Sequence, residues 1–314
     1  MKKFLVLLVL LAFAMGLYAQ GESEGDDVLH IGVATANFDD KWMSYMHDGF
    51  KAAAEELGVK ITMVDGKNDT AVQVGQIDTL ITMGVDAIVI VPVDQAAMEP
   101  LLNEADKAGI PMVAVNRAPA EPLLSRLATY VGSDSLYAGT VEMEAVVELL
   151  GGVGDVVVMW GGLGHEAQVY RTQGNHDVAD NFPGINIVRE NTASWQRSLG
   201  LELMENWIQA GFNIDAVVAN NDEMAIGAIM ALEQVGMLDE VIVAGVDATP
   251  DALQFMEEGK LDVTVFQDAY GQGYGGIKAA IMAANGEELP KVWDIPYELV
   301  LPETLDKYKA MWGL

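Results

Sequence analysis

The stretch HIGVATANFDDKWMSYMHDGFKAAAEELGVKITMVDG, His30 to Gly66, holds one full cycle of a repeating pattern. Its two ends, HIGVATA and KITMVDG, are short and rich in β-branched residues, whereas DKWMSYMHDGFKAAAEELG between them spaces its apolar residues along one face of a helix. Strand, helix, strand is the unit of a parallel sheet. The cycle continues through DAIVIVPV and PMVAVNR, separated by AVQVGQIDTLITMG and MEPLLNEADKAG. After ATYVGSD it begins again with DVVVMWGG, INIVREN, AVVANND, VIVAGVDA and LDVTVFQD, with SLYAGTVEMEAVVELLGG, QRSLGLELMENWIQAG and EMAIGAIMALEQVG as helices. Two consecutive α/β sheets without a long Pro- or Ser-rich linker predict two Rossmann-like lobes in close contact, with a boundary near Tyr130 to Asp134. In open parallel sheets ligands sit beyond the carboxyl ends of the strands, so two facing lobes share one cleft.

Composition narrows the function. A chain of 314 residues with 51% hydrophobic content can bury a large core. Its 47 acidic against 17 basic residues leave a formal charge of −30, which repels phosphate backbones and anionic lipid and argues against a nucleic-acid partner. Lys2 and Lys3, an apolar run from Phe4 to Met15, small residues at Gly16 and Ala19 and the polar stretch QGESEGDD together predict a secretory signal cleaved near Ala19. The run is shorter than the ~20 apolar residues that span a bilayer. No cysteine is present, which excludes thiol catalysis, Cys-ligated zinc and a lipid-modified cysteine, and predicts a mature chain free in the periplasm.

Catalytic patterns are weak. His30, His47, His165 and His176 show no metal-ligand spacing, and there is no G-x-S-x-G elbow. Neither a metal nor a cofactor is expected. GQGYGG, Gly271 to Gly276, matches a dinucleotide fingerprint, but it follows the last strand of the second lobe rather than the first βα turn. It is expected instead to carry the chain from Gln267 across the cleft, its glycines letting the backbone turn and the next helix pack closely.

The strand ends carry a distinctive chemistry. Asn116 and Arg117 follow the fourth strand and Arg171 follows the sixth; later ends bring Trp195, Asn221, Asp247 and Gln267. Guanidinium donors, carboxylate acceptors, side-chain amides and tryptophan faces together suit a sugar or cyclic polyol, whose hydroxyls donate and accept while its C–H faces are apolar. Taken singly, Asp222 and Thr249 fit helix N-caps, Arg117 and Arg171 fit solvated cations, and Trp42 fits core packing.

The strings VVANNDEMAIGAI, VIVAGVDATPDAL, LDVTVFQDAYGQG, GIPMVAVNR and YVGSD closely resemble exported sugar-binding proteins of the ribose-binding type, the solute receptors of ABC importers. VDAT, VTVFQDA and NNDEMAIGA are most similar to the subgroup binding myo-inositol or inositol-derived rhizopines. The resemblance implies a periplasmic binding protein type I fold: residues 27–132 with 268–297 in one lobe, 133–267 with 298–314 in the other, three hinge segments, and a signal peptide over 1–19. It also implies a ligand site of Asp40, Trp42, Met43, Asn116, Arg117, Arg171, Trp195, Asn221, Asp247 and Gln267. Asn116-Arg117 replaces the Asp-Arg of ribose binders, and Val91 replaces a polar Asn, which favours an inositol over ribose. The implied function is binding of such a polyol, or of another neutral sugar such as ribose, glucose or galactose, by a monomer that is not an enzyme and that serves an ABC import permease or chemosensing. A sugar-responsive repressor shares the core but needs an N-terminal helix-turn-helix where this chain has the signal pattern.

Overall fold

The structure is a computed structural model and describes residues 28–314, so the signal pattern lies outside the described residues. The chain opens with β1 (His30–Thr35), α1 (Lys41–Glu56), β2 (Lys60–Asp65), α2 (Thr70–Thr82), β3 (Ala87–Ile90), α3 (Met98–Ala108), β4 (Met112–Val115), a short α4 (Glu121–Leu124) and β5 (Thr129–Gly132). There follow α5 (Ser135–Leu149), β6 (Val153–Trp160), α6 (Glu166–Ala179), β7 (Gly184–Thr192), α7 (Arg197–Gln209), β8 (Ala216–Ala219), α8 (Asp222–Val235), β9 (Ile242–Ala244), α9 (Pro250–Glu257) and β10 (Thr264–Phe266). The last elements are α10 (Ala269–Ala284), β11 (Val292–Asp294), β12 (Glu298–Val300) and α11 (Leu305–Trp312).

One sheet runs β11-β5-β4-β3-β1-β2 with every neighbouring pair parallel. The other runs β7-β6-β8-β9, also parallel; single bridges Ala244–Val263 and Asp247–Phe266 bring β10 alongside β9, and β12 pairs antiparallel with β10. AIVI of β3 and MVAV of β4 are buried at every position, because helices cover both faces of a central parallel strand. The chain leaves β1 to one side and returns to β3 on the other, and does the same around β6 and β8. Each reversal opens a crevice at the carboxyl ends of the strands. Three short stretches pass between the sheets: 133–134 after β5, 267–268 after β10, and 295–297 between β11 and β12.

GQGYGG is helical throughout, lying inside α10 after its N-cap Asp268, and none of its glycines has a positive φ. The turn expected there is absent, and close packing accounts for the glycines. A Cβ on Gly273 would lie 2.1 Å from the Met46 carbonyl oxygen, and one on Gly49 would lie 2.2 Å from the Tyr270 carbonyl oxygen, so α1 and α10 touch backbone to backbone. Gly139 with Gly174 and Gly200 with Gly227 make the same crossing between α5 and α6 and between α7 and α8. A methyl group has no room at these crossings. Gly273→Ala is expected to force α1 from α10 at a cost of ~1–3 kcal/mol, read as a lowered thermal midpoint.

A carboxyl of the second lobe is buried on the side of α5. Glu142 on α5 is fully buried; its Oε2 accepts from Asn175 Nδ2 at 3.1 Å, while Oε1 has no partner among the described residues. Burial pushes its pKa from the ordinary 4.5 to about 8. The folded state therefore keeps this proton up to about pH 8 while the unfolded chain releases it near 4.5, so the stability contribution is full below 4.5 and is lost as pH rises through 8. Glu142→Gln, which mimics the protonated acid, is expected to raise the melting temperature at pH 9 by on the order of 2–4 °C and to change it little at pH 4, measured by calorimetry.

Candidate functional site

A cavity of about 710 Å³ lies between the lobes, and all ten residues singled out from the sequence line it. From the first lobe, Asp40 caps α1, its Oδ1 accepting the Met43 N–H at 2.9 Å, and this fixes where Trp42 and Met43 leave the helix. Trp42 does two things: it packs on the first-lobe core and lines the cavity. Its indole N–H is buried and has no partner among the described residues.

Asn116 sits at the end of β4 with φ +66. Tyr130 donates its hydroxyl to the Asn116 carbonyl at 2.7 Å, and Asn116 Nδ2 donates to Gln272 Oε1 at 3.1 Å. Gln272, the polar residue of GQGYGG, is fully buried and also donates to Ser133 Oγ on the first crossing at 2.9 Å. Beside it Arg117 donates to the carbonyls of Pro92 at 3.0 Å and Val93 at 3.4 Å. Burial pushes Arg117 down to about 10, against the pull of Asp40, and it stays charged at neutral pH.

The second lobe contributes a buried polar centre. Arg171 lies inside α6 rather than at the strand end where the sequence placed it, and it is 3% exposed rather than solvated. Its guanidinium donates to the Asn220 carbonyl at 2.5 Å, to Tyr297 Oη at 2.6 Å and to Gln267 Oε1 at 3.0 Å. Burial works against this charge, but Tyr297 and Asp247 outweigh it and hold the guanidinium above its ordinary value. Asp247, with φ +126, is 4% exposed and stands 3.8 Å from Arg171 Nη1. Burial pushes the Asp247 carboxyl well up despite Arg171, and among the described residues no group donates a hydrogen bond to it.

Asn221, not Asp222, caps α8: it takes the extended backbone and its Oδ1 accepts the Met224 N–H at 3.1 Å. Asp222 is the first helical residue and is fully buried, accepting from Thr264 Oγ1 at 2.7 Å and from the Thr249 N–H at 2.9 Å. Thr249 caps α9 as its sequence predicts. Asp222 thereby ties down both sides of the Asp247 loop. Burial pushes its pKa up to about 7.

Trp195 has φ +68, and its indole N–H donates to His165 Nδ1 at 3.0 Å. Asn68, Asn116, Ser194, Trp195 and Asp247 all line the cavity, and they make up five of the seven described non-glycine residues with positive φ. Backbone strain of this kind persists only where surrounding contacts enforce it, and it gathers at binding sites.

Several lining residues escaped the sequence reading. His165 stands out in the sequence only as a histidine without metal-ligand spacing, and Lys41, Arg197 and Glu223 are indistinguishable there from abundant surface charges. At the rim these last three form a network: Lys41 Nζ of the first lobe lies 2.6 Å from Asp251 and 3.7 Å from Glu223 of the second, while Arg197 holds Glu223 and Asp251 at 2.8 Å each. Nearby, Tyr45 of α1 meets Trp312 of α11 with ring centroids 4.6 Å apart.

Known proteins share this architecture. Residues 31–288 match the family described as periplasmic binding protein domain. A Rhizobium meliloti protein named for rhizopine binding is 45% identical over 285 residues, covering 89% of this chain and 92% of that protein. The xylitol-binding protein of Mycolicibacterium smegmatis is 33% identical over 88% of this chain and 79% of its own. The crystal structure of an ABC transporter solute binding protein from Bacillus halodurans C-125 with bound myo-inositol is 46% identical, superimposes with a TM-score of 0.87 and covers 91% of this chain and 99% of that one. Two parallel-sheet lobes around one strained, polar cavity, matched along most of the chain, have one reading: the protein belongs to the periplasmic binding protein family.

Proposed function

We propose that the protein binds a neutral cyclic polyol, myo-inositol or a close derivative, outside the cytoplasm and delivers it to an ABC import permease. The observation that carries this reading is the Asp247 carboxyl, which lines the cavity wall without a single hydrogen-bond donor from the described residues. Its oxygens stay open to the cavity, where the hydroxyls of a ligand can reach them. Asn116, Arg117 and Asn221 bring N–H-bearing side chains to the same cavity and supply the converse need, donors for oxygen lone pairs. A ring bearing hydroxyls all round meets both.

Charge balance supports a neutral ligand. Arg171 has Asp247 beside it, Arg117 is turned onto the Pro92 and Val93 carbonyls with the Asp40 charge bearing on it, and Lys41 and Arg197 are paired with Glu223 and Asp251, an arrangement that favours a neutral ligand over an acidic sugar. Trp42 and Trp195 from opposite lobes would cover the apolar faces of the ring. Charge-assisted hydrogen bonds of roughly 1.5–3 kcal/mol each, a few in number, reach the ~8 kcal/mol of a micromolar complex after the costs of ordering. Capture works by closure: with the lobes divided at 133, 268 and 297, a ligand that touches both favours the closed form, which the permease recognises. The myo-inositol-bound and rhizopine-named relatives support the ring, and the xylitol-named relative keeps other neutral polyols and sugars as the second reading. Export with cleavage near Ala19 completes the proposal.

Titration calorimetry of the mature chain against myo-inositol, scyllo-inositol, a rhizopine, xylitol, ribose, glucose and galactose tests the ligand class. Binding to an inositol with a micromolar or lower Kd is expected, and silence across the panel would overturn the reading. Asp247→Ala should raise Kd at least about tenfold; an unchanged Kd removes Asp247 from the site. Lys41→Met, which cuts the pair joining the lobes at the rim, should raise Kd by about two- to fivefold at low ionic strength, with the difference vanishing near 1 M salt.

A further inference from the structure

We infer that Trp312, outside the cavity, is a positioning residue for ligand capture: its indole braces the Asp247 loop of the second lobe and clasps Tyr45 of the first, slowing escape of the ligand. The inference rests on the reading of capture by closure around a polyol. Neither Trp312 nor Tyr45 lines the cavity. Trp312 is the last residue of α11, where Gly313 at φ +73 stops the helix; the Gly313 N–H donates to the Ala310 carbonyl at 3.1 Å and the Leu314 N–H to the Lys309 carbonyl at 3.0 Å. The closing turn thereby sets where the indole leaves the helix. Lys309 Nζ meets Glu257 of α9 at 2.6 Å, and Leu305, Tyr308 and Trp312 pack on the second-lobe core, so α11 moves with that lobe.

The loop that Trp312 reaches is a strained one. Asp247 and Ala248 have φ of +126 and +49, conformations that a non-glycine residue keeps only where its neighbours impose them. The Ala248 N–H donates to Thr264 Oγ1 at 3.1 Å, and the Ala248 carbonyl accepts the Trp312 Nε1–H at 2.9 Å. Both backbone groups of the residue beside Asp247 are thus held by side chains, one from β10 and one from α11. The same indole lies edge-on to Phe266, with centroids 6.5 Å apart at 81°, and Phe266 ends β10 immediately before the Gln267 crossing. It meets Tyr45 of α1 at 4.6 Å and 56°. Tyr45 stands one turn after Lys41, so the ion pair of Lys41 and the aromatic contact of Tyr45 reach the second lobe from one face of the helix. One ring therefore joins the ligand loop, the strand entering a crossing, and the opposite lobe. A contact between lobes stabilises the closed arrangement alone, so its effect falls on dissociation rather than encounter.

Stopped-flow kinetics with myo-inositol separate the two contacts. Tyr45→Leu should raise the dissociation rate about three- to tenfold and leave the association rate within about twofold of wild type. The effect should persist near 1 M salt, unlike that of Lys41→Met, and Tyr45→Phe, which keeps the ring, should restore the wild-type rate. In a Trp312→Leu background Tyr45→Leu should add nothing, because its partner is already gone. Trp312→Phe keeps a ring but loses the N–H that holds the Ala248 carbonyl, so Kd should rise about two- to fivefold. In an Asp247→Ala background that penalty should vanish. An unchanged dissociation rate in Tyr45→Leu, or effects of Tyr45→Leu and Trp312→Leu that simply multiply, overturns the clasp. An equal penalty from Trp312→Phe with and without Asp247 overturns the bracing of the loop. If wild type binds myo-inositol and the variants match it, only this inference falls; if wild type binds no cyclitol, the ligand class itself is wrong and the inference falls with it.

Discussion

A guanidinium cannot shed its charge, and in this protein the Arg171 guanidinium is 3% exposed. Desolvating an ion costs several kcal/mol unless partners replace its water. The partners recruited here come from every part that matters: the β8 end through the Asn220 carbonyl, the second crossing through Gln267, the third through Tyr297, and the cavity wall through Asp247. Satisfying one buried cation therefore fixes the relation of the cavity to two of its three connections. The site and the connections around it are one hydrogen-bonded object.

Much of this was legible in the sequence, for a plain reason. Central parallel strands are buried on both faces and so appear as unbroken apolar runs such as AIVI and MVAV, and the residues that follow them must converge. Ten residues scattered from Asp40 to Gln267 accordingly line one cavity. What failed was local. VWD of β11 and ELV of β12 are three residues each, too short to show a period. In NND either Asn221 or Asp222 can cap a helix, and the choice fell to Asn221 because Asp222 is needed inside by Thr249 and Thr264. Arg171 belongs to a helix whose buried face is largely polar, with Gln168, Thr172 and Asn175 beside it, so no apolar stripe announces its burial. His165 meets Trp195, thirty positions away, and that pairing has no one-dimensional signal.

GQGYGG shows how one string can satisfy a motif and mean something else. Gly273 serves close contact between α10 and α1, Gly275 and Gly276 let α10 lie on Val131 and Val115 of the sheet, and the single amide, Gln272, braces Asn116 from behind. The same close crossing recurs at α5 with α6 and at α7 with α8, so the helices that carry Trp42, Arg171 and Asn221 are all seated on a neighbour's backbone. Interiors packed this tightly resist deformation. Each lobe can hold strained residues such as Asn116 and Asp247 in place because nothing around them yields.

Gln267 occupies two positions at once: it lines the cavity and it begins the second crossing between the lobes. On the proposed function, a lineage that changes this side chain to suit a new solute would also alter a connection between the lobes, so that selectivity and residence time would be inherited together. Broadening the diet of such a protein without altering its tempo would proceed through residues like Trp42, which lines the chamber without belonging to a crossing segment.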